Sequence, residues 1–70
     1  MRLTKEEQTM IEVLADDPTA SLSEVKIMWI SETGKRNPEQ ILTMLEAKDL
    51  VIINEYEDLV MLTPQGMKHS

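Results

Sequence analysis

Five polar residues lie close together in the middle of the chain, Lys35, Arg36, Asn37, Gln40 and Thr43, and a nucleic-acid reading would have to rest on the basic pair Lys35-Arg36. Arginine can pair bidentately with guanine and glutamine with adenine. Lysine suits a phosphate, and the backbone amides at the start of a helix attract anions. Each residue also has a plainer reading. Asn37 reads first as a helix cap and only second as a base reader. Gln40 can complete that cap as readily as it can face a partner. Lys35-Arg36 reads equally as a solvated loop, because two basic residues make a weak signal. Glu39, beside them, would repel a phosphate unless it accepted a hydrogen bond from a cytosine amino group.

The charge around these residues is unfavourable for non-specific nucleic-acid binding, which depends on neutralising phosphates. Seven basic and thirteen acidic residues give the 70-residue chain a net charge of −6. The first twenty residues set Arg2 and Lys5 against Glu6, Glu7, Glu12, Asp16 and Asp17, a net of −3. Residues 49–70 set Lys68 against Asp49, Glu55, Glu57 and Asp58, again −3. The stretch between them balances, and Lys35-Arg36 is its only adjacent basic pair.

Three helices must position the candidate readers. Thr4 and Glu7 have the spacing of a capping box, and Met10, Ile11, Val13 and Leu14 follow as an apolar face, so a first helix is expected over about 4–16. Asp16-Asp17-Pro18 stops it. Ser21 and Glu24 repeat the box and open a second helix, 21–32. Its stripe is Leu22, Val25, Met28 and Trp29, widened by Ile27 and Ile30, and Gly34 suits a left-handed C-cap. Thr19-Ala20 before it reads as a possible short strand. Asn37-Pro38 opens a third helix, with Ile41, Leu42, Met44 and Leu45 inside and Lys48 near its negative end. Two apolar runs, LVII (50–53) and LVML (59–62), flank NEYED as a hairpin with a loop of about five residues. Thr63-Pro64 begins a last helical turn.

Helix, helix, helix, hairpin is the order of a winged helix-turn-helix domain, an α+β fold that is mostly α. LEAKDLVI (45–52) resembles the segment that closes the recognition helix of that family and enters its wing. LTPQG (62–66) resembles the Leu-Thr-x-x-Gly after the second wing strand in small transcriptional regulators of the multiple-antibiotic-resistance (MarR) and PadR-like types. The resemblance runs from about Thr4 to Gly66. Asp49 stands where the family usually has Gly, and SETGKRN (31–37) is longer than the usual turn of the motif. The resemblance implies that the second helix braces the DNA backbone. The third would present Gln40 and Thr43 to the major groove, with Lys35, Arg36 and Asn37 at its entrance.

The hairpin departs from that pattern. Its tip carries Glu55, Glu57 and Asp58, which a phosphate backbone repels. Its strands are apolar on both faces, whereas a hairpin covering a core on one side should alternate. With Leu50, Ile52, Val60 and Leu62 inward, the outward residues are Val51, Ile53, Leu59 and Met61. An apolar face of that kind marks a protein interface. A plainer account folds the C-terminal tail or the N-terminus over it.

The leading expectation is a small transcriptional regulator that reads duplex DNA with its third helix, weakly as a monomer and better as a homodimer paired through the hairpin. The alternative is an acidic protein-interaction module that docks a protein partner there and does not bind DNA. Length sets the expectation of one domain over 1–70. Without cysteine, disulfides and thiolate chemistry are excluded and a reducing compartment is the default, so a cytoplasmic location is expected. No apolar run approaches the roughly 20 residues that span a bilayer. His69 has no second histidine and no acid at ligand spacing, so neither a metal nor a cofactor is expected. No nucleophile-base pair or Gly-rich phosphate loop points to an enzyme. Trp29 is expected in the core with one edge exposed, and the six methionines mostly as core filler.

Overall fold

The computed structural model describes residues 2–70. Thr4 caps α1 (Lys5–Asp16): its hydroxyl accepts from the Glu7 amide at 3.1 Å, and the Glu7 carboxylate accepts from the Thr4 amide at 2.8 Å. Ser21 and Glu24 form the same reciprocal pair at the start of α2 (Leu22–Thr33). Each box satisfies amides that a helix start leaves without partners.

Gly34, at φ 71°, ends α2 in the left-handed conformation, and α3 begins at Pro38 (Pro38–Ala47). The turn is therefore Gly34–Asn37, shorter than the SETGKRN stretch read from the sequence. Ser31, Glu32 and Thr33 stay helical, and the Thr33 hydroxyl donates to the Trp29 carbonyl at 2.8 Å. A turn of about 3–4 residues containing Gly is the usual link of a helix-turn-helix.

Asp49, at φ 61°, takes the left-handed position between α3 and the hairpin. Strands β1 (Val51–Asn54) and β2 (Leu59–Leu62) pair antiparallel, Val51 opposite Leu62 and Asn54 opposite Leu59. Asn54 Oδ1 accepts from the Glu57 amide in the connecting turn. Thr63 then caps the short α4 (Pro64–Met67) by accepting from the Gly66 amide at 3.0 Å. Three helices followed by an antiparallel hairpin form an α+β, mostly helical layout with winged-helix topology.

Met10, Ile11, Val13 and Leu14 from α1 meet Leu22, Val25 and Trp29 from α2 and Ile41, Leu42 and Leu45 from α3. Leu50, Val51 and Val60 close this core. Trp29 is 0% exposed, so neither edge of its ring reaches solvent, in contrast to expectation. Ile27 and Ile30 do not widen the buried stripe; they lie on the outer side of α2, at 68% and 37% exposure. Of the methionines, Met10 is fully buried, Met28 and Met44 pack at the margin, and Met61 and Met67 face solvent. Met1 lies outside the described residues. Thr19 and Ala20 form no strand, although the Leu22 amide beyond them donates to the Asp58 carbonyl at 3.0 Å.

The core also holds one charge. Glu7 is 0% exposed, and Lys48 Nζ reaches its two oxygens at 2.6 and 2.9 Å. Lys48 thus ties the end of α3 to the start of α1, in addition to lying at a helix C-terminus.

Candidate functional site

The five candidate readers do not form one surface. Gln40 and Thr43 are exposed on the outer face of α3. They share that face with Glu39, Glu46 and Ala47, so its exposed positions carry two acids and no base. Glu39 pairs with Lys26 of α2 at 3.6 Å, which consumes a further base near the helix.

Arg36 is exposed and, among the described residues, forms no ion pair. Lys35 is exposed too, but its amine lies 3.7 Å from Glu6. Asn37 is withdrawn from the surface. Its Oδ1 accepts from Trp29 Nε1 at 2.9 Å, and its Nδ2 donates to Glu6 Oε2 at 2.8 Å. It occupies the N-cap position of α3 with no side-chain cap bond, so the cap it was expected to form with Gln40 is absent. A buried indole N–H must find an acceptor, and Asn37 supplies it. This corrects the cap reading of Asn37: its side chain does not cap α3 but ties the turn to Trp29 and Glu6.

At the other end of α2, the anion-attracting amides are already occupied. Asp58 Oδ1 accepts from the Ser23 amide at 3.0 Å and from the Ser23 hydroxyl at 2.9 Å. A helix N-terminus satisfied by an internal carboxylate has little left for a phosphate. Asp58 also holds φ 55°, so the hairpin turn is bent down against α2. No feature of the acidic tip taken alone indicated this; its partner lies 35 residues away in the chain.

The hairpin shows half of the expected outward face. Leu59 and Met61 point to solvent, at 43% and 49% exposure. On β1 the parity is the reverse of the expectation. Val51 is only 2% exposed, and Ile53 is half-buried against the core. Ile52, opposite Met61, is the outward residue at 54% exposure. The cause is Leu50, which precedes the pleat. Its amide donates to the Leu45 carbonyl as part of the helix-to-strand turn, so Leu50 and Val51 are buried in succession. Ile52, Leu59 and Met61 therefore form the exposed apolar face. The C-terminal tail does not cover it: the tail turns to α1, where Gln8 Nε2 donates to the His69 carbonyl.

A cleft of about 520 Å³ runs along β2, between it and the end of α1, with Met67 of α4 at its margin. Met61 belongs both to this cleft and to the outer hairpin face. Among the described residues, no helix is long and apolar enough to cross a membrane. Comparison of the chain with models of known protein families, with curated proteins and with solved structures finds no match.

Proposed function

We propose that the protein is an acidic winged-helix interaction module, which docks a partner protein through the outer face of its hairpin. One observation carries this: Ile52, Leu59 and Met61 share one sheet face, each 43–54% exposed, where a hairpin over a single core should present polar residues. Glu55 and Glu57 border that face, so the matching partner surface is apolar with a basic rim. The occupied N-terminus of α2 and the acids on α3 both weigh against a phosphate backbone as partner.

Affinity capture with the full chain, followed by reconstitution of each candidate from purified protein, tests this proposal. Binding should survive Lys35→Glu with Arg36→Glu and be lost in Ile52→Lys with Met61→Lys. Binding unchanged by the second pair would refute docking at this face.

A second reading is favoured by the four-residue turn and by Arg36, Gln40 and Thr43, all exposed around the start of α3. In it the chain is a DNA-binding regulator of the MarR or PadR-like kind, with Gln40 and Thr43 at bases and Lys35 and Arg36 at phosphates. Fluorescence anisotropy against duplex DNA at low salt separates the two. DNA binding abolished by the Lys35→Glu, Arg36→Glu pair would establish it, with a shallow salt slope of about 0.9 per phosphate contact. No binding at tens of micromolar would remove it.

A further inference from the structure

The edge of β2 that faces away from β1 has no backbone partner. The Thr63 amide donates to the Leu50 carbonyl, which fixes the alternation of the ladder. Leu59, Met61 and Thr63 turn their backbone groups toward β1, while Val60 and Leu62 turn theirs outward. Among the described residues, neither Val60 nor Leu62 forms a backbone hydrogen bond on that side. Among the described residues, the α1–α2 connection makes no backbone bond to β2; the nearest is from the Leu22 amide at the start of α2 to the Asp58 carbonyl in the hairpin turn. Sheet edges of this kind are templates for an added strand.

The apolar cleft lies along the same edge. Leu14, Ala15 and Pro18 form its far wall, and Val60 and Leu62 its near wall. At its mouth stands Asp17, with Asp16 adjacent, and both are exposed. They sit at the negative end of α1, whose last turn carries no base. Acids there are unfavourable unless a cation approaches, and among the described residues neither forms an ion pair. A second copy of the chain would bring its own net charge of −6 to this mouth. An extended segment carrying lysine or arginine would bring the missing charge.

We infer that the free edge of β2 takes an extended, basic peptide segment of a partner protein as a third strand. Its alternate apolar side chains enter the cleft, and its lysine or arginine side chains meet Asp16 and Asp17. This goes beyond the outer-face docking proposed above: the edge is a separate site, and the inference names the chemistry of the segment that it takes.

The test is an amide chemical-shift titration of the isotope-labelled full chain with a synthetic peptide of alternating lysine and valine. The expected result is a saturable shift of the Val60 and Leu62 amides, lost when alternate peptide nitrogens are methylated and lost when glutamate replaces lysine. Asp17→Lys should weaken binding about fivefold, the scale of one exposed ion pair. Ala15→Trp, at an exposed position, should fill the cleft and abolish binding without disturbing the core. Ile52→Lys should leave the peptide affinity unchanged. No saturable shift up to about 1 mM peptide, shifts confined to Ile52, Leu59 and Met61, or a dimer that shields the edge would each overturn the assignment. Loss of the reconstituted partner in Ile52→Lys with no peptide effect at Val60 would sink the edge site alone. A peptide bound at the edge, with a partner indifferent to Ile52→Lys, would sink the outer face alone.

Discussion

Glu7 is the residue on which α1 and α3 depend together. Burial pushes its carboxyl up, but hydrogen bonds from Lys48 and Thr4 outweigh that, and the net displacement is below the ordinary value of 4.5. A carboxyl lowered in the folded state stabilises the fold above its unfolded value, and that contribution is lost as pH falls through the folded value. The urea midpoint of the wild type should therefore exceed that of Glu7→Gln at neutral pH. The gap should close as the solution is acidified below pH 4.5. A gap independent of pH would mean that the carboxylate charge contributes nothing. Lys48→Met is the harsher change, because it strands a buried carboxylate; a loss of about 3 kcal/mol is expected from urea unfolding. Gly66 shows a different constraint: a Cβ there would lie 2.1 Å from the Leu50 carbonyl oxygen. Gly66→Ala must push the tail off the hairpin, and it should lower stability by about 1–3 kcal/mol.

At the scale of elements, the hairpin turn acts as a cap for α2. Removing the carboxylate in Asp58→Ala leaves the Ser23 amide unpaired, and the expected cost is about 1 kcal/mol. For a chain of this size that corresponds to a fall in Tm of about 4–8 °C. Asp58→Asn keeps an accepting oxygen and should recover part of the loss. If Asp58→Ala melted like the wild type, the hairpin turn would not be anchored to α2 in solution. The same contact shortens the reach of the wing. Its tip is spent on the body of the domain, so Glu55, Tyr56 and Glu57 are the only turn residues free to meet a partner.

For the molecule as a whole, charge weighs against a second copy as the partner. Each chain carries −6, so pairing two hairpin faces sets acid against acid, most strongly at low ionic strength. Sedimentation at low salt should give the monomer mass for both the wild type and Ile52→Lys. A wild-type dimer that Ile52→Lys converts to monomer would show that the apolar face is closed by a second copy.

The helices and their starts were legible in the sequence, because a capping box and an apolar period are local. Thr4 with Glu7, Ser21 with Glu24 and Gly34 each act within a few residues. The hairpin was legible for the same reason. Contacts between residues distant in sequence were not. Nothing near Asn37 announces that Trp29 and Glu6 will claim it, and nothing near Asp58 announces Ser23. The parity of β1 could not be read either, since Leu50, Val51, Ile52 and Ile53 are all apolar and alternation has nothing to distinguish them. Sequence alone thus determined where the three long helices and the hairpin lie and how much charge the chain carries, but not that Thr19-Ala20 stays out of a strand or that Ser31–Thr33 stay helical. Tertiary packing alone decided which polar groups remain free and which apolar face is left over. Those outcomes depend on which groups folding brings within hydrogen-bonding distance, and on where a single turn residue sets the phase of the strand.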